Sequence, residues 1–234
     1  MYSYRSQPRV DRLSTPMTFD LENSASEVAY KLLTGLCAPR PIALITSMSR
    51  SGSLNAAPFS AYNYLCTDPP IVAVGVNNRA TPELIPKDTA RNIRATGEFV
   101  VNIVTEDIAE QMNLCAAECP EEINELEIAS FTAVPSVRVK VPRIGEAHAA
   151  LECREHATIE IGRSRVILGS VVSIYVEDRY VDPKGPYINA HELHSIGRMN
   201  GRGNYVRTRD AFFTIPRVSY EQILNRKDGV AIPE

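Results

Sequence analysis

The sequence has no apolar stretch long enough to cross a bilayer. Its longest purely apolar runs, such as Ile42 to Ile45 and Ile71 to Val74, fall far short of the ~18 residues that a spanning helix takes. It also lacks any concentration of positive charge. Lys and Arg are scattered singly, 25 basic residues stand against 28 acidic ones, and the basic stripe of a nucleic-acid binder is missing. Cys37, Cys66, Cys115, Cys119 and Cys153 are odd in number, widely spaced and without a Cys-x-x-Cys pair, so they read as reduced, mostly buried thiols. Met1 to Val10 carries Arg5 and Arg9 but no apolar core, which argues against a secretory signal and gives the cytoplasm as the expected location. Gly-x-Ser-x-Gly, the P-loop and His-Glu-x-x-His are all absent. So is a Gly-rich turn from a first strand into a helix, which counts against a doubly wound nucleotide fold.

What is present is an ordinary soluble composition, 44% hydrophobic and 23% charged over 234 residues, enough for a sizeable core. Residues 1–20 are polar and broken by Pro8 and Pro16, an arm extra to a single domain expected over 21–234. Ser24 and Glu27 have the form of a capping box ahead of Val28, Leu32 and Leu36 at helical spacing. Strands are expected at Ile42 to Met48, Ile71 to Val76 and Glu98 to Val104, with a helix from Asp88 or Thr89 as cap to Gly97. Leu54 to Pro70 is dense in small and turn-forming residues and reads as backbone that something approaches closely. Val137, Val139 and Val141 alternate with basic residues, and strands follow at Ala149 to Arg154, Ala157 to Ile161 and Val166 to Glu177. The Gly-containing segment 182–208 reads as a long functional loop, and the tail from Phe212 as one strand and a short helix at Tyr220 to Asn225. Many short strands with single helices between them predict a mainly β fold, a closed or partly closed antiparallel barrel with peripheral helices.

Conventional catalysts do not converge. His191 and His194 lack a third ligand and read as surface residues, so no metal is expected. Cys115 and Cys119 lie in or beside an amphipathic helix and read as packing thiols. The acidic run Glu121, Glu122, Glu125 and Glu127 reads as a solvated face, and His148 and His156 as structural. An anion site is the exception: the helix start at Lys87, Asp88 and Thr89 offers unpaired N–H groups, an amine and a hydroxyl. The reading as a plain N-cap stands beside it.

Five ordered segments carry a resemblance. They are Pro39 to Ser47 (PRPIALITS), Gly52-x-x-Asn-Ala-Ala-Pro-Phe-Ser60, Asp68-Pro-Pro70, Lys87-Asp-Thr89 with Asn92, and Gly97-Glu-Phe-Val-Val-Asn102. Ala150 to Cys153 and Ile196-Gly-Arg198 through Tyr205 continue it more loosely. In this order they resemble the flavin reductase-like FMN-binding split-barrel family, which includes flavoredoxins and the reductase components of two-component flavin monooxygenases.

The resemblance implies a split β-barrel that dimerises and holds one FMN per subunit near the interface. It implies that Ser47, Asn55, Ala56 and Ala57 meet the isoalloxazine ring and ribityl chain, that Ser60 and Asn63 close the pocket, and that Lys87, Asp88 and Thr89 bind the phosphate. Arg40 adds charge or braces the first strand, and Arg198 and Tyr205 reach the flavin from the glycine-containing loop. Hydride then passes from NADH or NADPH to the flavin and the cofactor does the chemistry, so no catalytic side chain is expected. Backbone N–H groups near Asn55 to Ala57 are expected to face the negative charge of the reduced ring. Three functions stay open: an NAD(P)H-dependent FMN reductase serving an oxygenase or other acceptor, an electron carrier with tightly held FMN, and a flavin-free ligand-binding barrel.

Overall fold

The computed structural model describes residues 17–79, 81, 83–120, 123–209, 212, 214–215 and 218–220. The arm up to residue 16 and the expected tail helix lie outside the described residues. Eleven strands occur among them: β1 (Ala43–Met48), β2 (Leu54–Phe59), β3 (Tyr62–Thr67), β4 (Pro70–Asn77), β5 (Glu98–Ile103), β6 (Ala133–Val134), β7 (Arg143–Ile144), β8 (Ala149–Ile161), β9 (Ser164–Val176), β10 (Ile196–Arg198) and β11 (Tyr205–Arg207). The α-helices are α1 (Ser26–Leu36), α2 (Asp88–Thr96), α3 (Ala109–Leu114), α4 (Glu125–Ile128) and α5 (Ala190–Leu193).

One seven-stranded antiparallel sheet, in the order β2-β1-β5-β8-β9-β4-β3, organises the molecule. Its two edge strands, β2 and β3, are consecutive in the chain and joined only by Ser60 and Ala61. The sheet therefore curls until its edges meet at that connection without pairing. This is the partly closed antiparallel barrel with peripheral helices that the strand pattern predicts, and the split barrel that the resemblance implies. Apolar side chains fill both faces of β1 and β5, and one face of β4. One face packs Ile45, Val74, Ile93 and Phe99 together, and the other packs Leu44, Ala56, Met112 and Leu126.

Several local expectations are corrected. Leu54 to Thr67 forms two strands, because its small residues let β2 lie flat on β1 in the register Ser47 to Asn55 and Ile45 to Ala57. The alternating valines at 137–141 form no strand. Their backbone is held by side chains instead: the buried Glu152 carboxylate accepts the N–H groups of Val137 (2.8 Å) and Arg138 (2.6 Å), and Glu98 accepts that of Lys140 (2.8 Å). Two expected strands merge into β8, which bulges between Glu155 and Ala157. The capping box at Ser24 and Glu27 does not form. Ala25 holds the cap position of α1, Ser24 donates to the Asp20 carbonyl, and Glu27 pairs with Lys31.

Candidate functional site

Two adjoining cavities lie outside β2, between it and the helices. The smaller, about 100 Å³, is lined by Asn55, Ala57, Arg79, Lys87, Asp88 and Thr89, and closed by Cys115–Cys119 and Glu125. The larger, about 610 Å³, shares Pro58, Phe59, Lys87 and Ala116 with it and continues to Arg40, Ser60, Arg198 and Tyr205.

Local sequence explains the small cavity. The N-cap position of α2 is taken by Lys87, whose side chain cannot accept a hydrogen bond, so no side chain caps this helix. That corrects the expectation of an Asp88 or Thr89 cap, and it leaves the first N–H groups of α2, at Asp88 and Thr89, without a side-chain acceptor where these residues and Lys87 line the cavity. At the other end Gly97, at φ 73°, closes the helix as expected. Asp88 forms ion pairs with both Arg79 and Arg91. The Thr89 hydroxyl turns inward and accepts from Asn55 Nδ2 at 3.0 Å. The Ser47 hydroxyl, fully buried, accepts longer bonds from Asn55 (3.4 Å) and Asn92 (3.3 Å). Ser47, Asn55, Thr89 and Asn92 thus form one buried polar cluster that ties α2 to β1 and β2.

Ala56 stands apart from its neighbours. Its side chain is fully buried in the core with Leu44 and Leu126, and its backbone N–H donates to Glu125 Oε2 at 3.2 Å. Antiparallel alternation then directs the Asn55 and Ala57 N–H groups into the ladder with Ser47 and Ile45. None of the three is free for a ligand, which corrects the expectation that these amides face a reduced ring. Asn63 is also not brought to the cavities: it lies exposed on β3 and accepts from the Tyr64 N–H at 2.9 Å.

In the larger cavity the Arg40 guanidinium donates to the carbonyls of Cys37 (2.8 Å) and Met199 (3.3 Å), and also to that of Thr34, with a longer bond to Ser60 Oγ at 3.4 Å. It therefore ties the end of α1 to Met199 and Ser60. Arg198 and Tyr205 face each other across the β10–β11 ladder, with the guanidinium 4.6 Å above the ring. Arg40 pairs with Arg198 through reciprocal backbone bonds, which joins this ribbon to the rim of the cavity.

The residues that sequence reading missed are Arg79 and Glu125. Arg79 stands in a loop with no pattern of its own. Glu125 looks like part of a solvated acidic run, yet only 6% of it is exposed, and burial pushes its carboxyl above the usual range. Cys115 is a packing thiol as expected, pushed up to about 12 first by burial and then by Glu125. His148 is structural, held at 2.8 Å by Glu177 on one ring nitrogen and by Asp107 on the other. His191 packs its ring on Phe212, and among the described residues no three His, Cys, Asp or Glu side chains gather as a metal set.

Comparison with known proteins gives this geometry its context. Residues 36–193 match the flavin reductase like domain. The chain belongs to the flavin reductase-like family. Similar within that fold is nitrilotriacetate monooxygenase component B from Bacillus cereus, 32% identical with a TM-score of 0.80, covering 86% of this chain and 100% of that one. The 2-nitrobenzoate 2-nitroreductase of Pseudomonas fluorescens is 35% identical, TM-score 0.76, covering 86% and 96%. A split-barrel protein of Shewanella frigidimarina, 20% identical with a TM-score of 0.73, covers 87% and 100% and shares the fold. The matched flavin reductase-like region contains β1 to β9 and every cavity residue named above except Thr34, Arg198 and Tyr205. No helix among the described residues is long and apolar enough to cross a membrane.

Proposed function

We propose that this protein binds FMN and transfers hydride from NADH or NADPH to it, then passes reduced flavin or electrons to an acceptor such as a partner oxygenase. The observation that carries this reading is the uncapped start of α2, beside Lys87 and Arg79, at the end of a long groove walled by β2. A helix N-terminus with free N–H groups and two cationic side chains suits a phosphate. The adjoining groove falls within the about 300–1,000 Å³ of cofactor pockets and suits a flat ring with its chain. The donor set therefore fits a phosphorylated flavin.

In this reading Lys87, Thr89 and the α2 amides hold the phosphate. Asp88 acts indirectly, by fixing Arg79 in the cavity wall. Asn55 and Ala57 line the near wall, and Ser47 and Ala56 support it from behind. Ser60, Arg198 and Tyr205 border the far end, where Arg40 keeps them together. When bound, FMN would supply the two-electron chemistry: hydride leaves the nicotinamide C4 for flavin N5, yielding oxidised nicotinamide. The protein would contribute position and exclusion of water.

The name of the Bacillus relative, a monooxygenase component, favours an oxygenase as acceptor. We further take the chain as a single domain over 21–234 behind an arm at 1–20, acting in the cytoplasm as a homodimer. A second copy would cover the apolar groove of about 740 Å³ lined by Ile42, Ile103, Leu151, Ile188 and Leu193.

Binding measurements test the phosphate assignment. Fluorescence titration of the parent protein and Lys87→Ala with FMN and with riboflavin should show FMN binding weakened about tenfold in the variant, a loss typical of one charge-assisted contact, with riboflavin binding unchanged. Equal loss for both ligands would contradict it.

A further inference from the structure

The charges around the small cavity are paired, with one exception. Asp88 has Arg79 and Arg91, and Glu118 stands 3.7 Å from Lys87. Glu125 is the remaining acidic residue of the lining, and among the described residues no Lys, Arg or His lies within ion-pair range of it. It is nonetheless one of the most enclosed carboxyls in the molecule, and it holds the outward N–H of the β2 edge at Ala56.

The groups facing Glu125 come from every element packed around it. β2 brings Asn55 and the Ala56 amide. The start of α2 brings Lys87 and Asp88, and the loop after β4 brings Arg79. Cys115, Glu118 and Cys119 close the side that follows α3. Its own helix carries Glu127, but that side chain is exposed and bonded to Asn124. A phosphate at the α2 amides would therefore share the cavity with one unpaired carboxyl. Ionised, that group repels a phosphate held in the same cavity. Protonated, it still accepts from Ala56 and gains an O–H that can donate to a phosphate oxygen.

We propose that Glu125 links phosphate-end binding to a proton: the flavin phosphate is held well when Glu125 is neutral and poorly when it is ionised. This makes Glu125 a positioning residue that sets ligand affinity, and it rests on the reading of the cavity as an FMN phosphate site. Burial, the first cause, and the neighbouring Asp88 both raise this carboxyl, while its own backbone N–H, that of Ala56 and Arg79 lower it. The net effect is a rise above the usual carboxylate range. Binding an anion beside it raises it further, so FMN binding takes up protons and weakens as pH increases.

The test is FMN affinity from about pH 5 to about pH 9, with calorimetry in two buffers of different ionisation enthalpy, on the parent and Glu125→Gln. Gln keeps an acceptor for Ala56 and the shape of the side chain but cannot ionise. The parent should lose about tenfold in affinity across this range relative to the variant, within the usual span of coupled sites. It should also take up more protons on binding FMN than Glu125→Gln does. Riboflavin, without the phosphate, should show neither difference. Because the comparison subtracts the titration of the FMN phosphate itself, superimposable pH profiles and proton counts for the two proteins would overturn the proposal. Should Glu125→Gln not fold, the same comparison with Glu125→Met, which likewise cannot ionise, decides in its place, and superimposable profiles and proton counts overturn the proposal equally. Failure of the parent to bind FMN at every pH would overturn the flavin reading and this inference with it.

Discussion

Thr89 occupies two positions at once: it is the second residue of α2, at the edge of the cavity, and its hydroxyl is the acceptor for Asn55. Thr89→Val keeps the shape and removes that acceptor, leaving Asn55 Nδ2 with only its longer bond to Ser47. An under-satisfied buried amide costs about 1–3 kcal/mol, so urea unfolding should show a loss of that size, together with weaker FMN binding as β2 loosens from α2. Unchanged stability would mean that the polar cluster does not tie helix to strand. At this scale the sequence was partly readable. Lys87 and Thr89 are visible as residues of a helix start, because residue type and position carry that signal, and they do line the small cavity. Glu125 was not, since a glutamate in an acidic run looks solvated. Only the packing of α4 against the β2 edge buries it. Ala56 was misread for a similar reason: a small residue in a turn-like run suggests ligand approach, whereas strand alternation sends its side chain into the core.

Elements were legible where one pattern dominated. β1 and β5 are short apolar runs, and α2 ends on a glycine that only needs its left-handed conformation to be read. β2 and β3 were hidden, because Pro58, Asn55 and Asn63 are poor strand formers and their place is set by pairing with β1 and β4. The long β8–β9 pair shows how tightly the sheet packs on its inner face. A Cβ at Gly169 on β9 would lie 2.4 Å from Phe99 Cζ and 3.3 Å from Cys153 Cβ. Gly169→Ala must therefore displace a fully buried ring, and overpacking of this kind typically costs about 1–3 kcal/mol. Thermal unfolding should show a clearly lowered midpoint. A variant as stable as the parent would mean that Phe99 has room to turn.

The whole molecule is a curled sheet whose two edges meet at Ser60–Ala61, with α2, α3 and α4 packed outside one of them. The barrel class was legible from strand number and spacing. The closure was not, because it depends on which distant strands become neighbours. That closure creates the groove, and it gathers residues far apart in sequence: Asn55 and Ala57 from an edge strand, Lys87 and Thr89 from a helix start, Arg198 and Tyr205 from a late ribbon. The proposed reductase reading places the chemistry on a bound flavin. The most direct test is the visible spectrum of the purified protein with FMN, followed under anaerobic conditions by addition of NADH and, separately, NADPH. The account predicts that flavin bands shift on binding and bleach rapidly with at least one of the two nucleotides. Bound flavin that bleaches only with dithionite would contradict the reductase, and a protein that leaves the FMN spectrum unchanged would contradict the site itself.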